Sequence, residues 1–250
     1  DIAIIPIRMK STRLPNKPMK EIFGIPLINH VFERSKLSFG KSLFIAVCDK
    51  EIYNYLIKYT DNVIITSKKH KNAISRCYEA YLKIKKKNIK IRSVTVIQGD
   101  EPFINPKDLT LLKQAINKNK VVNLIYKSNE LFARDKNNVK VILNKNEQII
   151  YFSREILPSN WKKKSKYYYI QSGLIGFDEQ TFIKFNKIKS PNIELSESID
   201  MNRLIFNDIK IQSIKSSNHL LGVDTPKDLR IANKIMKKDN ILSKYISKYK

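Results

Sequence analysis

Short apolar runs and amphipathic helical patterns alternate through the first hundred residues. The apolar runs cover 2–7, 43–48, 63–65 and 93–97, and the helical patterns cover 26–38, about 50–59 and about 72–86. The run at 43–48 is continuous, which is typical of a strand buried on both faces of a parallel sheet. Strands that alternate with helices form βαβ units. We therefore predict a three-layer, doubly wound α/β fold with a mostly parallel sheet.

The pattern changes in the second half of the chain. Residues 138–143 and 148–152 are apolar runs on either side of a polar turn, which predicts an antiparallel hairpin. We predict that about 130–190 forms a small antiparallel insertion within a single domain spanning 1–250. The remaining predicted elements are a strand at 167–177, a helix near 196–207, a strand at 210–215 and a helix from Pro226 onward.

Composition is that of a soluble globular protein. The chain has 250 residues, of which 42% are hydrophobic, enough for one sizeable core. No stretch of about eighteen apolar residues is present, and the run at 2–6 is too short for a signal peptide. The two cysteines, Cys48 and Cys77, lack metal-binding spacing and predict buried thiols in a reducing compartment. We expect a cytoplasmic protein without a membrane partner.

The formal net charge of +25 first suggests a nucleic-acid partner. The lysines, however, are scattered over nearly every predicted helix, and only nine arginines are present. No arginine-rich helix, aromatic-basic ribonucleoprotein motif or zinc-finger spacing accompanies them. We therefore expect no nucleic-acid binding, and a field that attracts small polyanions such as nucleoside triphosphates.

The loop after the first predicted strand carries many cations and hydroxyl groups. Its charged and hydroxyl side chains are those of Arg8, Lys10, Ser11, Thr12, Arg13 and Lys17. Such a set is typical either of a solvated basic loop or of a polyphosphate cradle. The loop follows a strand, where open α/β folds bind their ligands, and this position favours phosphate binding.

Two acidic segments are candidates for a metal site. Asp100 and Glu101 follow the strand at 93–97, and Asp224 precedes Pro226 at the start of the last helix. Taken alone, the first segment is an ordinary acidic turn, and Asp224 is better explained as a helix N-cap. Taken together, they offer the one or two carboxylates that Mg²⁺ usually takes, its other ligands being phosphates and water.

Two histidines receive different interpretations. His30 lies on the apolar stripe of its helix, which predicts a packed core side chain. His70 lies in a loop at the carboxyl end of another strand, where a substrate-facing role and a structural role are equally compatible with the sequence.

Five segments in order along the chain carry a resemblance to a known family. They are Ser11–Pro18, Gln98–Pro102, Asn138–Val141, Tyr151–Arg154 and Gly222–Leu229. Together they resemble the 3-deoxy-manno-octulosonate cytidylyltransferases, the CMP-KDO synthetases of lipopolysaccharide assembly. The resemblance implies a fold of the nucleotide-diphospho-sugar transferase type and a homodimer. It also implies Mg²⁺-dependent transfer of CMP from CTP to the anomeric hydroxyl of a 2-keto-3-deoxy sugar acid, with release of pyrophosphate.

The resemblance also implies roles for individual residues. The expected nucleotide-binding residues are Arg8, Ser11, Arg13, Lys17, His70 and Arg76. The expected catalytic residues are Arg8, Lys17 and Asp100, and the expected metal ligands are Asp100 and Asp224. The expected sugar-binding residues are Gln98, Arg154, Gln171, Glu197 and Asp200, the role of Arg154 being inferred from its charge.

Several positions depart from the family pattern. Asn16 replaces a glycine, and Asn visits left-handed backbone conformations more readily than other non-glycine residues. Residues 72–74 replace a Ser-Gly-Thr turn of the nucleotide pocket, and Gln171 replaces a histidine. On the sugar side, Glu197, Asp200 and Asn202 stand where the family has a Glu-Gln pair. Two alternatives therefore stay open: a cytidylyltransferase for another nonulosonic or modified octulosonic acid, including an acylneuraminate-like one, and a non-catalytic nucleotide or sugar binder.

Overall fold

The computed structural model describes residues 1–218 and 221–249. The strands are β1 Ile2–Ile7, β2 Glu21–Ile22, β3 Ile25–Pro26, β4 Leu43–Val47, β5 Val63–Ile65, β6 Ser93–Ile97, β7 Val121–Ser128, β8 Lys140–Leu143, β9 Gln148–Ser153, β10 Tyr168–Asp178 and β11 Ile211–Lys215. The helices are α1 Leu27–Phe39, α2 Lys50–Leu56, α3 Ala73–Lys85, α4 Pro106–Ile116, α5 Glu130–Ala133, α6 Glu179–Lys187, α7 Asn192–Glu197, α8 Asn202–Phe206 and α9 Pro226–Met236.

The chain divides into two compact units. Unit 1 comprises residues 1–91, 96–109 and the described part of 220–250, and unit 2 comprises 92–95 and the described part of 110–219. The single-domain organisation stays a prediction.

Unit 1 contains the doubly wound strand order that the sequence predicts. Its strands, which include only the last two residues of β6, run in the order β5-β4-β1-β6, and β4 pairs in parallel with both β1 and β5. The chain moves outward from β1 through β4 to β5 and then returns to the other side of β1 as β6. The order therefore reverses between β1 and β6, which is where open α/β sheets form a ligand crevice.

Helix α1 follows its sequence pattern closely. It begins at Leu27 directly after Pro26 and ends before Gly40, whose φ of 52° is a conformation that favours glycine. His30, on its apolar stripe, is fully buried, as predicted. Its Nε2 donates to the carbonyl of Ile22 at 2.8 Å, and Nδ1 accepts from the Tyr245 hydroxyl at 2.7 Å. Burial lowers the pKa of His30 to about 4, so the ring is neutral at pH 7.

Unit 2 contains a mixed sheet that is larger than the predicted insertion. Strands β8 and β9 form the predicted antiparallel hairpin, with Val141 opposite Phe152. Strand β10 pairs antiparallel with β7 and with β8, and β11 pairs in parallel with β7. Antiparallel pairing thus begins at β7, before the predicted boundary at 130, because the apolar run at 121–126 supplies a further strand.

Two sequence predictions need correction. The predicted helix near 196–207 is two short helices, α7 and α8, because Ser198 adopts a left-handed conformation with φ of 52° between them. The cysteines are both free thiols, and Cys77 is buried as predicted, but Cys48 is only half-buried. None of the helices in the described part of the chain has the length and apolar character needed to cross a membrane.

Candidate active site

A cavity of about 620 Å³ lies in unit 1, at the ends of its strands. Its described lining comes from the loops after β1, β5 and β6, from the start of α3 and from the segment before α9. The side chains with charge there are seven cations, Arg8, Lys10, Arg13, Lys17, Lys68, Lys71 and Arg76, and two carboxylates, Asp100 and Asp224. Because cations outnumber carboxylates among these residues, the cavity fits a polyanion.

All nine predicted site residues of unit 1 line this one cavity. They are Arg8, Ser11, Arg13, Lys17, His70, Arg76, Gln98, Asp100 and Asp224. Some of these residues are more than two hundred positions apart in the sequence, and the order of the strands brings them together. Their individual roles stay predictions.

Close packing of two strand ends explains the glycine in the segment Gln98–Pro102. A Cβ added at Gly99 would lie 3.1 Å from the carbonyl oxygen of Pro6 and 3.3 Å from Cγ1 of Ile7. These distances are tighter than ordinary side-chain contacts, so Gly99 lets the end of β6 approach the end of β1. Asp100 consequently leaves the strand beside the basic loop at 8–18.

A backbone hydrogen bond joins the two acidic segments. The amide of Val223 donates to the carbonyl of Asp100 at 2.9 Å. Thr225, rather than Asp224, is the N-cap of α9, and its hydroxyl accepts from the amide of Asp228 in a reciprocal capping box. The interpretation of Asp224 as a helix cap is therefore wrong. Its carboxylate instead contacts cations of the basic loop.

Lys17 bridges the two carboxylates. Its Nζ donates to Asp100 Oδ2 at 2.7 Å and to Asp224 Oδ1 at 2.9 Å, and Arg13 Nη2 lies 3.1 Å from the same Asp224 oxygen. Asn16, with φ of 55°, begins the short helical turn that carries Lys17, so the expectation of a left-handed asparagine is confirmed. Burial alone would lower the pKa of Lys17, but the attraction of Asp100 and Asp224 outweighs it and raises the pKa. Lys17 is therefore a firmly charged ammonium.

His70 and Arg76 line the cavity while making protein contacts of their own. His70 Nε2 lies 2.5 Å from Glu79 Oε2, and its Nδ1 lies 3.2 Å from the Ser75 hydroxyl. Arg76 is buried and donates from Nη1 to the Thr66 hydroxyl at 2.8 Å. Both side chains are thereby held in fixed orientations at this wall.

The altered turn at 72–74 begins helix α3. The side chain of Asn72 accepts from the amide of Ser75 at 2.8 Å and caps the helix. Asn72 and Ala73 both line the cavity, so the first turn of α3 forms part of its wall. This segment gives the cavity wall a capped helix N-terminus, which is an environment that favours negative charge.

Two carboxylates that shape this wall were missed in the sequence. Asp49 accepts from the backbone amide of Met9 at 2.9 Å and so anchors the start of the basic loop. Glu79 accepts from the amide of Ser67 at 2.8 Å as well as contacting His70. Burial raises the pKa of Glu79, but hydrogen bonds from Lys83, Ser67 and His70 outweigh it and lower the pKa to about 2. The four-residue spacing from Glu79 to Lys83 is a local signal for that ion pair. The contacts of Asp49 with Met9 and of Glu79 with Ser67 and His70 have no such signal, because they join different segments.

The Asp100 and Asp224 carboxylates fit a divalent cation. One oxygen of each already converges on a single cationic nitrogen within 2.9 Å. Across the described residues, no group of three or more His, Cys, Asp or Glu side chains is gathered as a metal site. A divalent ion held by this pair would therefore take its other ligands from phosphate oxygens and water, which is the usual ligand set of Mg²⁺.

In unit 2, Arg154 and Glu197 lie together. The Arg154 side chain donates to the main-chain carbonyls of Lys136, Glu197 and Ser198 at 2.9, 2.7 and 3.2 Å. Glu197 accepts from the Ser153 hydroxyl and from the Arg154 amide at 2.8 and 2.9 Å. Each guanidinium nitrogen of Arg154 thus donates to a main-chain carbonyl. The sequence did not predict these structural hydrogen bonds.

The other two predicted sugar residues of unit 2 have different surroundings. Gln171 Nε2 donates to Asn123 Oδ1 at 2.9 Å, across the pairing of β10 with β7. Burial of the Asp200 carboxyl group, with the Glu194 carboxylate adding to it, raises the pKa of Asp200 to about 6. The roles of these residues toward a sugar stay predictions.

Comparison with known proteins identifies similar chains. Residues 2–211 match the family model for cytidylyltransferases. A 3-deoxy-manno-octulosonate cytidylyltransferase of Fusobacterium nucleatum is 34% identical over 96% of this chain and 98% of its own. The mitochondrial enzyme of that name from Arabidopsis thaliana is 30% identical over 96% of this chain and 84% of its own.

Solved structures give the same result for the fold. A CMP:2-keto-3-deoxy-manno-octonic acid synthetase complexed with CTP superimposes with a TM-score of 0.85 at 26% identity, over 95% of this chain and 98% of its own. A putative glucose-1-phosphate thymidylyltransferase from Bacillus anthracis, at 18% identity and a TM-score of 0.68, covers 96% of both chains and shares the fold. The predicted nucleotide-diphospho-sugar transferase-like α/β fold is confirmed. Cytidylyltransferases typically use a divalent metal. The chain belongs to the cytidylyltransferase family and is a nucleotidyltransferase.

Proposed function

We propose that this enzyme transfers CMP from CTP to the anomeric hydroxyl of 3-deoxy-manno-octulosonate and releases pyrophosphate, with Mg²⁺ as its metal. The observation that carries the proposal is one cavity lined by seven cations and the Asp100 and Asp224 pair. The names of similar enzymes and the CTP complex of a similar structure support the choice of substrates. In this reaction the sugar oxygen forms a bond to the α-phosphorus, the bond from that phosphorus to the oxygen it shares with the β-phosphate breaks, pyrophosphate leaves with that oxygen, and the hydroxyl proton passes to solvent water.

The basic loop is proposed to hold the triphosphate. Arg8, Arg13 and Lys17 supply fixed positive charge, and Ser11 supplies a neutral donor. Phosphoryl-type transfer needs little covalent help from a protein and depends on alignment and on cations that absorb developing charge. Pyrophosphate is a highly charged leaving group, so this cluster would stabilise it as the bond to phosphorus breaks.

Asp100 and Asp224 are proposed to hold the Mg²⁺. When bound, the ion would neutralise charge on the triphosphate and act as a Lewis acid toward it. The two aspartates bind and orient, and the backbone bond between Val223 and Asp100 keeps their segments adjacent. Gln98, which lines the same cavity, is proposed to contact the sugar acid through its amide group.

A substrate panel tests the proposal. The protein is incubated with CTP, Mg²⁺ and one 2-keto sugar acid at a time, and pyrophosphate release is measured. We expect the highest kcat/KM with 3-deoxy-manno-octulosonate and a strong decrease when UTP replaces CTP. If pyrophosphate is released only with an acylneuraminate-like or modified octulosonic acid, the proposed reaction is supported and the proposed sugar substrate is wrong. Binding of CTP without release for any sugar acid would favour a non-catalytic binder.

The remaining predictions need separate measurements. Arg154, Gln171, Glu197 and Asp200 are proposed to affect the sugar acid rather than the nucleotide, so their variants should change the KM for the sugar acid and leave the KM for CTP unaltered. Homodimerisation, a cytoplasmic location and the absence of a nucleic-acid partner also stay predictions, and sedimentation velocity of the purified chain measures the first.

A further inference from the structure

The position between Asp100 and Asp224 is taken by a cation of the protein itself. Lys17 Nζ lies within hydrogen-bond distance of both carboxylates, at 2.7 and 2.9 Å, and its side chain is only 16% exposed. The two aspartates are 29% and 33% exposed, so solvent and small ions can reach them. The pair thus holds an ammonium group where it would hold a divalent ion.

Lys17 and a divalent ion held by this pair would compete for the same two carboxylates. A metal ligated by Asp100 Oδ2 and Asp224 Oδ1 would put two positive charges beside the ammonium nitrogen, at the short range where like charges repel. The long, flexible side chain of lysine can move away from this position. Lys17 lines the cavity together with the rest of the basic loop, so a phosphate bound there would offer it another partner. Binding of the metal therefore requires Lys17 to change partners.

We infer that Lys17 is an exchangeable occupant of the divalent-cation position, and that its release couples metal binding to triphosphate binding. Metal that displaces Lys17 frees an ammonium group for phosphate, and phosphate that draws Lys17 away frees two carboxylates for metal. Coupling of this kind is reciprocal, so each ligand raises the affinity for the other. Arg13, which shares Asp224 Oδ1 at 3.1 Å, would be released in the same exchange.

The inference rests on the proposed function in one respect, namely that the pair holds the metal of nucleotidyl transfer. Its test uses neither nucleotide nor sugar acid. Mn²⁺ binding to the substrate-free protein is measured by the loss of the free-ion electron paramagnetic resonance signal, for the wild type, Lys17→Met and Lys10→Met. Lys10 is the matched control, because it lies in the same loop, lines the same cavity and carries the same charge.

We expect Lys17→Met to bind Mn²⁺ about fivefold more tightly than the wild type, which is the effect of removing a competing contact of ordinary ion-pair strength. Lys10→Met removes the same charge without vacating the site, so its gain should be at most about twofold. Equal affinities for the two variants, weaker binding by Lys17→Met, or no binding by any of the three proteins would overturn the inference. Failure of the proposed reaction would instead appear in the pyrophosphate assay.

A second measurement uses the unaltered chain and does not depend on folding of a variant. Trace acetylation followed by peptide mass spectrometry gives the relative reactivity of Lys17 and Lys10. Saturating Mn²⁺ should raise the reactivity of Lys17 severalfold and leave that of Lys10 unchanged, because only Lys17 exchanges partners. An unchanged Lys17 reactivity would contradict the inference.

Discussion

Lys17 in unit 1 and Lys140 in unit 2 are both withdrawn from solvent, but they have different kinds of partners. Lys17 is paired with two partly exposed carboxylates at the edge of a cavity. Lys140 is fully buried, and its Nζ donates to the main-chain carbonyls of Asp135, Asn138 and Arg154 at 3.2, 2.7 and 2.5 Å. Burial lowers the pKa of Lys140, whereas the two aspartates raise that of Lys17.

The difference separates a cation that can exchange partners from one that cannot. Carboxylates near solvent can accept another cation in place of an ammonium group. The carbonyls around Lys140 are neutral acceptors: that of Asp135 also accepts from the Asn138 amide at 3.0 Å, and those of Asn138 and Arg154 would lose the Lys140 donor. Residue type therefore does not assign a role to a lysine in this chain, but the chemistry and exposure of its partners do.

The largest expected effect comes from removing the charge of one carboxylate that contacts Lys17. Asp100→Asn keeps the shape of the side chain but removes the charge that would hold a metal, and kcat should fall by about a hundredfold to a thousandfold, the usual effect of losing one stabilising group at a reacting centre. Pyrophosphate release measures the rate, and circular dichroism checks the fold. Asp61→Asn removes the same charge from an exposed turn outside the cavity and should leave the rate unchanged. A normal rate for Asp100→Asn would remove the proposed metal role.

The second effect tests the comparison directly. Lys140→Met removes three hydrogen bonds of a buried ammonium group, and only the Asp135 carbonyl keeps another donor, so it should lower the free energy of unfolding by about 3 kcal/mol. Lys17→Met removes an ion pair whose partners are partly exposed, and should change it by about 1 kcal/mol or less. Urea denaturation of both variants and the wild type measures the difference. Equal losses would mean that Lys17 is as structural as Lys140.

A third effect shows that unit 1 also contains a fixed polar group. His30 is buried and neutral, with a pKa of about 4 against about 6.5 when unfolded. Between these pH values the unfolded chain therefore binds more protons than the folded chain. The contribution of the buried neutral ring to the free energy of unfolding is complete above about pH 6.5 and is lost as the pH falls toward 4. The difference amounts to about 3 kcal/mol.

Urea denaturation at pH 7 and pH 4.5 measures this dependence. His30→Gln cannot be protonated, so its free energy of unfolding should fall less between the two pH values than that of the wild type. Parallel curves for the two proteins would contradict the low pKa of His30.

The smallest effect concerns the cap beside Asp224. Thr225→Ala removes the hydroxyl that accepts from the Asp228 amide and should cost about 1 kcal/mol in the free energy of unfolding. Thr225→Ser retains the hydroxyl and should cost much less. An unchanged free energy of unfolding for Thr225→Ala would contradict a stabilising role of the capping box.

Much of unit 1 follows from its sequence pattern, and unit 2 follows less well. Strands β1, β4, β5 and β6 are apolar runs with clear ends, and the predicted helices between them are present. The capping box of α9 was missed although Thr225 and Asp228 have its spacing, because Asp224 was interpreted as the cap. The break at Ser198 was also missed, because it depends on one left-handed residue with no glycine to mark it.

The sequence by itself determined that cations and carboxylates follow the apolar strands of an α/β fold, because strand ends can be recognised from hydrophobic runs. Only the tertiary structure decided which charges meet. The two partners of Lys17 lie 83 and 207 positions away from it along the chain. Periodicity assigns side chains to faces and ends of elements, whereas an ion pair depends on distance in space, which the order of the strands sets. That order turns a basic loop and two separate aspartates into one site with its own cation already in place.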